Sequence, residues 1–361
     1  MNFLPENELL AVEAFSACLN DTNKSYKFYW LLSILDELNL GKLRISNDDL
    51  ALRMISLAWY PLDFYKLSFG KKDGFLKLSR SISATMKVEL SPNAPSLYHQ
   101  ISSLPDLELR KSLQTELSEL LRWVPMRFLR PFFAEQIRGL ADGKVNASIK
   151  NLVQLNPGVT PYGFEKGHIQ MNERWAKYLL LHQHVIRGFV HWHLLGFLQR
   201  NNPNVIGLRE KLFAPVERNL AIPKDIWFSF MLSNSINCIY SGKILDKEDI
   251  SVDHFIPWSY IAHDQIWNLI PTTRVSNSAK GNALADLDAY FEKFCELQFR
   301  IFKHLLFIKQ YNVLEEYHAI LCIDDLNNVS YQYFREKLLL EVSTHYRIAA
   351  QMGFSRKFSL V

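Results

Sequence analysis

Between Ser251 and Asn282 the chain reads SVDHFIPWSYIAHDQIWNLIPTTRVSNSAKGN, and Asp253, His254, Asn268 and Asn277 within it have the types that phosphodiester hydrolysis uses. Breaking such a bond needs a deprotonated water, a cation against the scissile phosphate and charge relief on the leaving oxygen. Histidine is the side chain best poised to take a proton near neutral pH, so His254 is the candidate general base. Asp253 and Asn277 offer oxygen ligands of the kind a hard ion such as Mg²⁺ selects, with waters filling its other positions. Neighbouring side chains on a strand point to opposite faces, so one site requires the strand to bend or end beside Asp253 and His254. Pro257 is placed to stop it. Asn268 would then hold the imidazole through a backbone or amide oxygen and fix its tautomer. Taken singly, an Asp–His pair is more often an ion pair or a capped turn, and a lone Asn a turn or cap residue. Their order and spacing carry the reading.

Those residues resemble the HNH (ββα-metal) nuclease motif, in the variant whose last position is Asn rather than His. The resemblance runs from about Cys238 to Tyr290 and includes the Trp267-Asn268-Leu269-Ile270-Pro271 context. His254 to Asn268 spans 14 positions and Asn268 to Asn277 nine more, intervals similar to those in the HNH domain of CRISPR effector nucleases. The resemblance implies Asp253 and Asn277 as metal ligands, His254 as general base, Asn268 as the middle asparagine and Lys280 as a basic residue facing phosphate. It also implies Mg²⁺ or Mn²⁺ as cofactor, DNA as substrate, and a cut leaving 5′-phosphate and 3′-hydroxyl ends. Many HNH proteins staple the hairpin with zinc through two CxxC pairs. Here Cys238-Ile239-Tyr240-Ser241 has serine at the second position, and Cys295 is the one further thiol near it in sequence. Four ligands at zinc spacing are not found, so no structural zinc is expected, and a turn at Ser241-Gly242-Lys243 should be held by apolar packing.

At 361 residues, 48% hydrophobic and 22% charged, the composition is that of a globular protein with room for two or three domains. The net charge of +4 permits nucleic-acid contact without arguing for it. Cys18, Cys238, Cys295 and Cys322 are widely spaced with no disulfide framework, which fits a reducing cytoplasm. MNFLPENELL has no basic region followed by an apolar core, so no signal peptide is expected. Tyr178 to Leu198 is the best membrane candidate, but its histidines and Arg187 argue against a span.

The elements that must position the site read as mostly helical. Phe28, Leu31, Leu32 and Leu35 form a helical stripe that Ser25 can cap, and Ser46 with Asp49 opens a helix over Leu50 to Trp59 that Pro61 interrupts. Leu107 to Phe133 begins as an amphipathic helix broken by Pro125 and Pro131. Arg122, Arg127 and Arg130 recur there among aromatics, a pattern that lines nucleic-acid grooves but equally marks arginines snorkelling from a packed face. Ser148 to Leu155 and His168 to Met171 read as short β-like runs, and Asn172 caps one long helix from Glu173 to about Gln199. Its His182, His184, His191 and His193 lack the i, i+4 spacing of a zinc pair, so packing histidines are expected. Asn237 to Tyr240 and Ile250 to Phe255 would be the hairpin strands, and the motif helix should start near Thr272 or Thr273.

The expected fold class is mainly α with a small α+β unit. A helical recognition or regulatory domain would cover residues 1–222, an HNH ββα-metal unit 223–290, and a helical C-terminal segment 291–361 packing on the others. The N-terminal region resembles the helical leaders that accompany HNH units in bacterial restriction or anti-phage defence. That resemblance implies a cytoplasmic, metal-dependent DNA endonuclease, with a DNA-recognising or partner-binding leader and no membrane. Two other classes stay open: a retired HNH fold that only binds nucleic acid or protein, and an RNA-cleaving toxin that leaves a 2′,3′-cyclic phosphate.

Overall fold

The apolar stripe beginning at Phe28 nucleates the N-terminal half. In the computed structural model, which describes residues 4–20, 22–71, 73–89, 96–104, 107–215, 218–246, 248–355 and 357–360 (backbone alone for 107–110 and 112–114), that stripe lies on a helix with ten of its fourteen residues buried. The chain divides into two units, Met1–Pro203 with Lys211–Pro215, and Asn204–Glu210 with Val216–Val361.

The first unit surrounds α2 (Tyr26–Asn39), which follows α1 (Val12–Ala17). Ser25 precedes α2 but gives its hydroxyl to Asp73 rather than to the helix. β1 (Arg44–Ser46) leads into α3 (Asn47–Trp59), and Ser46 caps α3 by accepting from the Asp49 amide at 3.0 Å. Pro61 does not end the helical run. It sits near the start of a π-helical turn, Tyr60–Phe64, where its missing N–H costs little. The unit continues with α4 (Gly74–Thr85), α5 (Leu97–Ser102), α6 (Leu107–Leu120), α7 (Val124–Phe128) and α8 (Asp142–Leu155). The β-like reading of Ser148 to Leu155 is thus corrected to helix, because Val145, Ile149 and Val153 recur every fourth residue and all three are buried. β2 (Tyr162–Glu165) and β3 (His168–Met171) form a hairpin that β1 extends, in the order β1-β3-β2. The expected long helix divides at His182 into α9 (Glu173–Leu181) and α10 (Gln183–Asn201), and Asn172 caps α9.

The second unit opens with α11 (Ala221–Met231). Its ribbon pairs β4 (Ile250–His254) with β5 (Leu269–Thr273), antiparallel, with Asp253 opposite Ile270 and His254 opposite Leu269. The sequence placed the partner strand at Asn237 to Tyr240. Those residues instead form a turn with one bridge, Asn237 to Ile244. Pro271 lies within the true partner strand, which a two-stranded ribbon tolerates, and all five β5 residues are buried. α12 (Trp258–Ile261) follows β4, and α13 (Arg274–Lys280) follows β5 without a break. Gly281 ends α13 at φ 49°, and Asp286 caps a separate helix, α14 (Leu287–Phe307), joined by α15 (Tyr311–Leu321) and α16 (Tyr331–Met352). One apolar cluster, including Trp227, Ile256, Phe294, Leu305, Tyr317 and Val342, holds ribbon and helices together. From α14 the buried Gln298 amide reaches β5, donating to the Leu269 carbonyl at 2.8 Å. Among the described residues no helix is long and apolar enough to cross a membrane.

Candidate active site

Helix α13 lies against β4, and its spacing selects what it meets there. Asn277 and Lys280 are three apart and share a helix face, while Ser251 and Asp253 are two apart and share a strand face. Asn277 Nδ2 accordingly donates to Ser251 Oγ at 2.7 Å, and Lys280 Nζ lies 3.2 Å from both carboxylate oxygens of Asp253. Thr273 fixes the start of α13, its hydroxyl accepting from the Ser276 amide at 3.1 Å. The other side of Asp253 is closed by Tyr240, whose hydroxyl donates to Oδ2 at 2.8 Å. Burial, and then the neighbouring Asp253 charge, push the Tyr240 phenol well above its ordinary value, so it remains a donor.

His254 is the last residue of β4. Its ring Nε2 lies 2.7 Å from Asp264 Oδ1, and its Nδ1 lies 3.4 Å from a terminal nitrogen of Arg218. A carboxylate on Nε2 assigns the proton there, so the Nδ1 lone pair, the basic position, accepts from Arg218 and takes a proton from water only once Arg218 turns away. Burial lowers the His254 pKa below 6.5, as does Arg218, against the raising effects of the Asp264 bond and of the Asp264 and Asp253 charges. The imidazole is therefore neutral at pH 7. Burial raises the Asp264 pKa, but the His254 bond and Arg218 outweigh it and hold the carboxylate below its usual range. Arg218 also stacks over Trp258, its guanidinium carbon 4.8 Å from the ring centre.

Two expected roles are corrected. Asn268 does not touch the imidazole. Its buried amide accepts from the Ile256 N–H at 2.8 Å and donates to the Ile256 carbonyl at 2.9 Å, while its own carbonyl accepts from the Phe255 N–H. It closes the base of the loop leaving β4, and Asp264 takes the place on the ring. Lys280 does not face outward to phosphate: it is 2% exposed, and besides Asp253 it donates to the His254 carbonyl at 2.7 Å. A lysine buried among acceptors lowers its desolvation cost by pairing with the nearest carboxylate.

Sequence reasoning missed Asp264, Arg218 and Tyr240. Asp264 had a usable signal, an acid ten residues after His254 on the same loop, and Tyr240 lies inside the Cys238 to Ser241 turn. Arg218 lies 36 residues before His254 and carries no local signal. In that turn Gly242 N–H donates to the Cys238 carbonyl at 2.8 Å, and the thiol meets Thr272 Oγ1 at 3.0 Å. Burial alone would raise the Cys238 pKa, but hydrogen bonds from Ser241 and Thr272 bring it down to about 7.

Asp253 and Asn277 carry oxygens of the kind a hard divalent ion takes. A carboxylate offers about four lone-pair sites, and Lys280 and Tyr240 occupy three on Asp253. The Asn277 amide oxygen has no hydrogen-bond partner among the described residues. Two protein oxygens with waters completing the shell is the manner in which Mg²⁺ is commonly held. Among the described residues no group of three or more His, Cys, Asp or Glu gathers into a metal cluster.

Residues 238–285 match the family model described as HNH endonuclease. No curated protein and no solved structure matches the chain.

Proposed function

We propose, from the match of residues 238–285 to the HNH endonuclease family model, that the second unit hydrolyses phosphodiester bonds in DNA with Mg²⁺ or Mn²⁺. The observation that supports it most is the neutral, buried His254 held by Asp264 at 2.7 Å, on the residue next to Asp253. Nδ1 of His254 takes the proton of the attacking water, and Asp264 steadies the imidazolium that results. Water oxygen bonds to phosphorus, the bond to the 3′ oxygen breaks, and the leaving oxygen takes a proton from solvent, giving 5′-phosphate and 3′-hydroxyl ends. Arg218, half-buried beside Nδ1, supplies the positive charge that meets the substrate phosphate, the task the sequence had given to Lys280. A divalent ion held by Asp253 and Asn277 supplies charge relief for the phosphate and the leaving oxygen when bound. A place in restriction or anti-phage defence follows from the resemblance of the N-terminal region, and plaque counts on cells with and without the protein test it.

The test is cleavage of plasmid DNA by wild type and His254→Ala with Mg²⁺, Mn²⁺ or EDTA. Wild type should cut only with metal and the variant not at all; a variant that still cuts removes His254 as base. The Lys280 ammonium seated on Asp253 favours a second reading, a unit that binds nucleic acid without metal. An Mn²⁺ titration followed by electron paramagnetic resonance separates the two, because only the first loses its Mn²⁺ site on Asp253→Ala.

A further inference from the structure

We propose that the first unit carries a binding pocket for a nucleoside phosphate, distinct from the site on β4. The turn before α2 and the short helix α7 enclose a cavity of about 280 Å³, lined by Lys24, Lys27, Arg127 and Arg130, with Tyr26 and Trp123 as aromatic walls. None of its described lining residues is acidic.

The two arginines are incompletely satisfied. Each donates through one terminal nitrogen to Asp142 at the start of α8, Arg127 at 2.7 Å and Arg130 at 2.6 Å. The Nε atoms of both are buried and have no hydrogen-bond partner among the described residues. Buried donors are normally paired, and a guanidinium is shaped to meet an oxyanion with two parallel donors. Asp142 is a replaceable partner: its side chain is 67% exposed, so it can return to water when a stronger anion arrives. A phosphate brings three or more acceptor oxygens to guanidiniums on which Asp142 supplies two.

Trp123 argues that the anion carries a ring. Trp123 is 39% exposed, and the guanidiniums of Arg122 and Arg127 lie over its ring, 5.0 and 4.9 Å from the centre, so a base that stacks there does so beside or in place of a guanidinium. Aromatic faces flanked by arginine are where single-stranded bases stack, in a sequence-tolerant way. A bare phosphate or carboxylate has no use for that wall. The cavity's size admits one nucleotide unit rather than a duplex, so the interleaved arginines and aromatics of Leu107 to Phe133 form a pocket, not a groove. One nucleotide unit has two sources, a free nucleotide and the 5′-phosphorylated end of a single strand, and both present the same chemistry.

Calorimetric titration of the full chain in EDTA tests this without reference to cleavage, using AMP, adenosine, inorganic phosphate, and hexathymidylate with and without a 5′-phosphate. AMP or the 5′-phosphorylated strand should bind saturably, and adenosine, inorganic phosphate and the unphosphorylated strand at least tenfold more weakly. The tighter of the two binders identifies the source. Arg127→Gln or Arg130→Gln should weaken binding at least tenfold, and Trp123→Ala about fivefold. Asp142→Asn should tighten it severalfold, an outcome that misfolding cannot imitate. Absence of saturable binding by both probes, or binding unmoved by Arg127→Gln and by Asp142→Asn, overturns the proposal. Inorganic phosphate binding as tightly as AMP overturns its nucleoside part.

Discussion

Replacing Lys280 by Met separates a buried structural cation from a phosphate ligand. The Lys280 and Asp253 side chains are 0% and 5% exposed, and the ammonium lies 3.2 Å from the carboxylate. Methionine keeps the chain length and removes the charge, leaving Asp253 with the Tyr240 hydroxyl alone on Oδ2. Removing one partner of a buried pair costs about 3–5 kcal/mol, since the remaining charge is uncompensated. With Tyr240 still bonded, we expect the lower end, about 3 kcal/mol, which at a urea slope of about 2 kcal/mol per molar moves the midpoint down by about 1.5 M. Hydrogen-exchange mass spectrometry across a urea series reads this on peptides covering residues 250–280, so the second unit's transition is followed by itself. Asp253→Asn with Lys280→Met leaves no buried charge and should recover most of the loss. A loss below about 1 kcal/mol, together with weakened DNA affinity, would refute the reasoning and return Lys280 to the phosphate.

Asn268→Ala removes two hydrogen bonds from the Ile256 main chain in a fully buried setting. A cost of about 2–4 kcal/mol is expected from thermal or urea unfolding, because both main-chain groups lose their partner. Asp264→Asn should slow DNA cleavage by about 10²-fold, the low end of what a positioned base supplies. The same change removes an influence that raises the His254 pKa, so the acid limb of the rate profile should move to lower pH, as a full pH–rate series will show. The Cys238 thiol is brought down from 9.0 to about 7 in the fold, so its contribution to stability is full above pH 9 and is lost as pH falls through 7. Cys238→Ala should therefore flatten the rise in urea midpoint between pH 7 and pH 9.

Much of the fold could be read from periodicity and caps. The stripe on α2, the Ser46 cap on α3, the Asn172 cap on α9 and the Thr273 start of α13 all depend on contacts within a turn or two, which sequence spacing encodes. The strand opposite β4 was hidden because ribbon pairing is set by packing on Gln298 and the helices behind it, which local spacing does not encode. For the site, spacing placed Asp253, His254 and Asn277 on adjoining elements, as family motifs do. What each touches was less accessible. Asn268 and Lys280 are both polar and both fully enclosed, and burial of a polar group follows from tertiary closure rather than from its neighbours in the chain. Arg218 shows the limit most clearly, since it reaches His254 from a connector that contains no pattern of its own.

The Cys238 turn sets an unusual relation between integrity and chelation. Where a zinc ion knots such a turn, stripping metal unravels the scaffold and the chemistry together, and the two losses cannot be told apart. Here sulfur is held by hydroxyls from Ser241 and Thr272, and the turn passes directly through Tyr240 to the Asp253 carboxylate. The turn is thus linked to the carboxylate through covalent chain and hydrogen bonds. On the proposed metal-dependent reading, EDTA should stop cleavage while leaving the urea midpoint of this unit in place, and alteration of the Cys238 sulfur should lower that midpoint.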